Sequence, residues 1–454
     1  MNALSPPPLV GAAPPPLKDR LTLRRLDDSQ NPLPAIIAAA YERPVVRQMS
    51  LMGPYFVVSD PEGVKRVLVD NVANYPKTRL ENRLFGAAFG ESLVSAEGET
   101  WRAHRRLMAP SFAPPSVAAY APGMAEEVLA FQARWDAAPA TPVDVARDMS
   151  ALTLAIISRA MFSADGAALA GVVESAITRG LAALRLGLGD ALPGLGELRM
   201  RARNRRMAAI FAELDAAVAK LIAAREASGP QADLLSRLIA ARDGDGDQRL
   251  SAREVRDEVV TIFLVGHETS AVAMAWIWYL LSQHPEVEAR LHAELDAVLG
   301  GRAPRSDDLA ALPYTRQVAE ETLRLYPPTP GTSSRVALAA DEICGVAIPK
   351  GAIVCCLPWV TQRHKALWDH PDRFDPERFS PRASAGRPRF AWFPFGGGPR
   401  VCIGAAFAMT EIQIILAALA QRFRLRLAPG HTVAFHRQIT LRPRGGLPMI
   451  VERR

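Results

Sequence analysis

Near its C-terminal end the chain reads Phe395-Gly396-Gly397-Gly398-Pro399-Arg400-Val401-Cys402-Ile403-Gly404. The side chain able to do chemistry there is Cys402. Three glycines and a proline leave no room for regular structure, so the stretch is a loop that can lie close against something flat. An Ala-, Leu- and Ile-rich helical run follows, from Ile403 to about Phe423. A thiolate at Cys402 would stand at a helix start, where free N–H groups and the helix dipole lower its pKa. Arg400 adds a cation two residues away. A charged sulfur in an apolar setting with a glycine-walled face suits ligation of a haem iron. A buried cysteine at a loop–helix junction is the other reading of a lone thiol.

A second constellation is Val265-Gly266-His267-Glu268-Thr269-Ser270. A glycine inside a helix costs about 1 kcal/mol against alanine, so something needs the missing side chain. Thr269 can bond back to the Val265 carbonyl and open the helix locally. Gly, acid and alcohol together make a pocket for a small polar ligand and a proton path. An ordinary core helix with a tolerated glycine is the alternative. Three further pairings are weaker alone. Trp101 and Arg105 share a helical face, and His104 is offset from it as a surface or core histidine. Glu321 and Arg324 form an i,i+3 pair, ahead of Pro376-Glu377-Arg378-Phe379. Asp243, Asp245 and Asp247 mimic a calcium loop, but Gln248 stands where the sharp turn needs glycine, so this is a polar turn.

These residues need elements to hold them. Val259–Gln283 is a long apolar run whose only Asp, Glu, His, Lys or Arg side chains are His267 and Glu268, both in mid-run. A membrane span would not place them there, so a buried core helix is expected. Ser251 to Glu254 reads as its capping box. Asp60-Pro61 starts another helix, reaching about Val69. Gln48–Ser59 reads as two short strands around Gly53-Pro54, and Val336–Leu357 as short strands with turns. Asn74–Ser95 reads as a loop carrying Leu84, Phe85 and Phe89. Thr141–Gln231 is helical apart from the Gly/Pro-broken stretch Gly187–Gly196. Arg199, Arg203 and Arg206 then share a helical face, read as solvated or as a contact for an anionic membrane.

The 454 residues are 49% hydrophobic and carry a net charge of +7, which favours a negatively charged partner. No zinc-finger spacing or basic helix leading into heptads points to nucleic acid. The cysteines are Cys344, Cys355, Cys356 and Cys402, with no C-x-x-C pair, so neither a zinc site nor a disulfide framework is indicated. A reducing cytoplasm is the simplest setting. No secretory signal opens the chain, and Pro6–Pro8 and Pro14–Pro16 mark a polyproline-type lead over residues 1–20.

The cysteine loop resembles the haem-binding loop of the cytochrome P-450 superfamily, F-x-x-G-x-R-x-C-x-G, at every fixed position. The resemblance implies that Cys402 is the proximal thiolate ligand of haem b, with Phe395 beside the sulfur. Arg400 and Arg335 then hold haem propionates, and Gly398 and Gly404 allow close backbone approach. Trp101 and Arg105 match the family's W-x-x-x-R helix, a further propionate contact. Gly266 to Ser270 match its oxygen-activation motif, with Gly266 at the haem. Val265 departs from that motif, standing where Ala or Gly is usual and narrowing the space above the haem. By the resemblance Thr269 hydrogen-bonds the dioxygen and Glu268 relays protons. Glu321, Arg324 and Arg378 match a buried triad that supports the loop.

The motifs occur in the family's order over residues 40–454. They imply one mainly α, triangular domain over residues 21–454 with a smaller β-rich part. Haem would lie between the long helix and the Cys402 loop. The implied protein is of the soluble bacterial type, monomeric and cytoplasmic, with no membrane anchor. Its reaction is insertion of one atom of dioxygen into a C–H bond or across a double bond. Phe85, Phe89, Val265, Thr329 and Thr332 are the candidate substrate contacts. The substrate is apolar: a fatty acid, terpenoid, steroid or aromatic compound, with a lean to the first two. Electrons would come from a separate acidic ferredoxin and its NAD(P)H-dependent reductase. The alternatives are a peroxygenase, against which Glu268-Thr269 argues, and a haem-thiolate binding or gas-sensing protein without turnover.

Overall fold

Asp60 accepts hydrogen bonds from the N–H groups of Glu62 and Gly63, so the helix Pro61–Lys65 begins where its cap and proline place it. The structure is a computed structural model that describes residues 38–50, 53–137, 141–164, 171–176, 179–180, 195–243, 250–437 and 440–454. The lead over residues 1–20, most of the broken stretch 187–196 and most of the Asp243–Asp247 turn lie outside the described residues. Helices dominate. The chain divides into two compact units, one of Met1–Pro76, Met124–Ser150 and Thr269–Arg454, the other of Lys77–Gly123 and Ala151–Glu268.

All the described strands belong to the first unit. Its larger sheet has the order Val45–Ser50, Gly53–Val58, Ile353–Cys356, Arg335–Val336. The first pair is antiparallel with Val45 opposite Val58, the second parallel with Tyr55 opposite Ile353. Val45, Phe56, Val58 and Val354 pack with Val64, Val67 and Leu68 in one apolar cluster. Burial of each large side chain there stabilises the fold by about 1.5–3 kcal/mol. Cys356 belongs to the same cluster, and burial pushes its thiol up to about 12, which makes it inert. A second sheet joins Val143–Asp144, Pro448–Arg453 and Phe423–Leu427. Beside it, Trp135 meets Trp278 and Phe423 edge-on at 5.7 and 5.6 Å.

The described elements of the second unit are helical. Thr78 caps a helix over Arg79–Phe89, where the sequence suggested a loop. The charged Arg79, Glu81 and Arg83 hide its apolar stripe, and the Thr78 cap was the available signal. Gly98–Met108 carries Trp101 and Arg105 as expected. In the helix Leu195–Ser228, Arg203 is buried while Arg199 and Arg206 are exposed. The expected solvated face is therefore corrected: Arg203 and Met207 both turn inward, and Arg203 Nη1 lies 3.9 Å from Met200 Sδ. The longest apolar helix, Ala252–Gln283, begins at the Ser251–Glu254 capping box, with Ser251 N–H donating to Glu254 at 2.7 Å and Glu254 N–H to Ser251 at 3.2 Å. Its most apolar window is 83% buried, as a core helix should be. The division between the units falls within this helix, after Glu268.

Candidate active site

The Cys402 loop is closed by its own backbone. Cys402 N–H donates to the Phe395 carbonyl at 2.9 Å, and Gly396 N–H to the Phe393 carbonyl at 2.9 Å. Gly398 has φ +65°, and a Cβ there would stand 1.8 Å from the Leu68 carbonyl oxygen. Only glycine satisfies both conditions. A Cβ on Gly397 would meet the Phe390 ring at 2.4 Å. Gly404 directly precedes the helix Ala405–Ala420. Phe395 is half-buried and meets Trp392 edge-on at 6.3 Å. Cys402 is exposed, whereas Cys356 is buried. Arg400 is half-buried.

The loop rests on a buried ionic frame. Arg324 forks onto Glu321, Nε to Oε2 at 2.6 Å and Nη2 to Oε1 at 2.8 Å, both residues fully buried. Its remaining donors go to the carbonyls of Gln362, Pro371 and Arg373 at 2.8, 2.7 and 3.0 Å. Such a pair holds only when its other donors are also satisfied. Arg378 joins them at longer range. Its Nε forms an ion pair with Glu321 at 3.5 Å, and Asp375 N–H also donates to that carboxylate at 2.9 Å. Gln362, which the motifs did not single out, ties the frame to the loop. It donates to Leu323 and Arg324 carbonyls at 3.0 Å and accepts Phe393 N–H at 3.0 Å.

On the long helix, every residue from Asp257 to Leu281 is buried except Val265, Gly266 and Thr269. These three share one side of the helix. Val265 is 37% exposed, unusual for a large aliphatic residue amid a buried run. A Cβ on Gly266 would come within 3.2 Å of Ile157, so the glycine also serves helix packing. Glu268 is buried. The His267 carbonyl accepts the Thr153 hydroxyl at 3.0 Å.

Glu411, on the helix after Cys402, was missed. It is fully buried, and burial pushes its carboxyl up to about 8, so it is neutral at pH 7. The Ser270 hydroxyl offsets part of that rise, yet neither carboxyl oxygen makes a full hydrogen bond. The available signal was an acid set in an otherwise apolar helical run.

The other candidates are placed as follows. Trp101 and Arg105 are both half-buried. Arg335 is buried on its strand, with Nη1 3.5 Å from the Tyr75 carbonyl. Phe85 and Phe89 face one another with ring centres 6.0 Å apart. Thr332 donates both its N–H and its hydroxyl to the Cys356 carbonyl at 3.0 Å, so it anchors the Pro327–Ser334 segment. Thr329 is exposed. No cluster of His, Cys, Asp and Glu suited to a metal ion occurs among the described residues. Within the first unit the Cys402 loop suits a haem, with an accessible thiol on a glycine loop and the cations Arg400 and Arg335 available to anionic groups.

The profile of the Cytochrome P450 family matches residues 26–446. A protein of Streptomyces melanosporofaciens named cyclooctatin synthase is 37% identical over 412 residues, covering 88% of this chain and 87% of its own. Another from that organism, cyclooctat-9-en-7-ol 5-monooxygenase, is 35% identical over 416 residues, covering 88% and 86%. The crystal structure of a cytochrome P450DA heme domain superposes with a TM-score of 0.78 at 26% identity, covering 90% of each chain.

Proposed function

The chain belongs to the cytochrome P450 family and is a monooxygenase; from that premise we propose that it hydroxylates or epoxidises an apolar terpenoid hydrocarbon or alcohol. Haem b, when bound, supplies the oxidising chemistry, and Cys402 is its thiolate ligand. Arg400, Arg335, Trp101 and Arg105 hold its propionates, with Phe395, Gly404 and Gly266 against it. Thr269 and Glu268 hold and move the protons the reaction consumes. Val265, Phe85 and Phe89 line the substrate's path and exclude water.

The observation that carries the reading is the accessible stripe of Val265, Gly266 and Thr269 on an otherwise buried helix. An apolar side chain exposed at mid-helix beside a glycine suits an apolar substrate held above a flat cofactor. The choice of a terpenoid draws on the similar protein that is named for its action on cyclooctat-9-en-7-ol. Electrons come from a separate acidic ferredoxin and its NAD(P)H-dependent reductase, which suits a net charge of +7.

The test is the carbon monoxide spectrum of the reduced protein, then titration with cyclic terpenes, fatty acids, steroids and aromatic compounds. The red-shifted Soret band of a thiolate-ligated haem is expected, with the largest spin-state shift from a terpene. A histidine-type band would remove Cys402 as ligand. A larger shift from a fatty acid would overturn the terpenoid reading alone.

A further inference from the structure

We propose that His104 is a positioning residue, clasped between two carboxylates of the long helix so that the helix Gly98–Met108 presents Trp101 and Arg105 in one fixed orientation. The inference rests on the reading that these two residues hold a haem propionate. His104 is 2% exposed, in the turn between them. Its Nδ1 is 2.7 Å from Glu258 Oε1, and its Nε2 is 3.3 Å from Glu254 Oε1. A neutral imidazole has one N–H and can satisfy only one of these oxygens, whereas an imidazolium satisfies both. Burial works against the charged ring, but the Glu258 and Glu254 carboxylates outweigh it and raise its pKa above the usual 6.5, while burial raises the Glu258 carboxyl as well, so the proton is held within the pair.

The carboxylates are themselves held. Glu254 is the acid of the Ser251 capping box. Glu258 Oε1 also accepts the Leu93 N–H at 2.7 Å, while its Oε2 has no partner. Asp257 beside them accepts the Glu91 N–H at 2.8 Å and pairs with Arg256, and Arg253 stands 3.9 Å from it. Gly90 has φ +60°, and its Cβ would lie 1.9 Å from Asp257 Oδ2, so the Gly90–Ala96 segment is seated against the same acids. His104 is the base that joins the Trp101 helix to this seat. Successive helical residues are about 100° apart, so fixing the rotation of His104 fixes where Trp101 and Arg105 point.

The clasp is charged below the folded titration of His104 and released as pH rises through it. The test is the rate at which the full haem-loaded chain gives up haem to an excess of apo-globin, followed at the Soret band between about pH 5.5 and 9. Loss from the native chain should quicken by about tenfold above the imidazole's titration. His104→Gln should be fast at every pH, with no inflection. Glu258→Gln, which removes the charge that holds the proton, should move the inflection to lower pH. A native rate and profile in His104→Gln, or an unmoved inflection in Glu258→Gln, overturns the proposal. If His104→Gln does not fold, Glu258→Gln decides alone.

Arg105→Gln tests the underlying reading. Haem loss at the native rate there would remove the propionate role without touching the clasp. The clasp is then judged by hydrogen exchange over residues 98–108. Protection should fall at high pH in the native chain and at all pH in His104→Gln. Equal protection in both overturns it.

Discussion

Cys402 and Glu411 flank the start of one helix and follow opposite physics. The thiol is exposed, so water can solvate a negative charge there. The carboxyl is buried where a charge is penalised. Glu411 holds its proton in the folded chain up to about pH 8, against 4.5 when unfolded. Its contribution to stability is full below pH 4.5 and is lost as pH rises toward 8. Glu411→Gln should therefore flatten the pH dependence of unfolding, by about 1.4 kcal/mol per pH unit across that window. Denaturant melts at acid, neutral and mildly alkaline pH measure this, and parallel curves for both proteins would refute it. For Thr269 the proposed role is in chemistry. Thr269→Ala should lower product formed per NAD(P)H consumed by about tenfold while leaving the haem spectrum unchanged. Unaltered coupling would place proton delivery elsewhere.

At the scale of elements, the loop from Phe395 to Gly404 works because two glycines are needed for different reasons. Gly396 has φ +74° with open space around it, while Gly398 has φ +65° and a carbonyl at 1.8 Å from its missing Cβ. Gly396→Ala meets only the backbone penalty of about 1–2 kcal/mol. Gly398→Ala adds a clash with Leu68 and should destabilise by more than about 2 kcal/mol, with loss of haem. Urea midpoints and haem content of the two variants separate the cases. Equal effects would mean that the Leu68 backbone yields. The Glu321–Arg324 pair and Gln362 hold this loop from behind, so the position of the thiol depends on a helix some eighty residues earlier.

Across the whole molecule, charge is unevenly spread. Between Glu377 and Glu411 there are five arginines, at 378, 382, 387, 389 and 400, and no carboxylate. That stretch includes the cysteine loop. An acidic electron donor should bind more weakly as ions screen it, with apparent affinity falling several-fold between about 50 and 300 mM salt. Calorimetric titration of the donor at several salt concentrations checks this, and a salt-independent affinity would count against an electrostatically guided donor.

Local geometry that demands fixed residue types at fixed offsets was legible in the chain alone: the glycines of the Cys402 loop, Glu321 with Arg324, and the caps at Asp60 and Ser251. Local rules of turn, cap and helix operate within a few residues, so the sequence carries them directly. Family membership and the mainly helical fold followed from those motifs in order. The tertiary structure decided what depends on distant partners. It seated His104 on Glu258, turned Arg203 inward, added the Asp375 N–H to the Glu321 carboxylate beside Arg324 and Arg378, spent Thr332 on the Cys356 carbonyl, and buried Glu411 until it stays neutral. Charge state and hydrogen-bond allegiance are set by what surrounds a group in space. For these residues the surroundings come from segments up to about 150 residues away, as with His104 and Glu258, which no local pattern encodes.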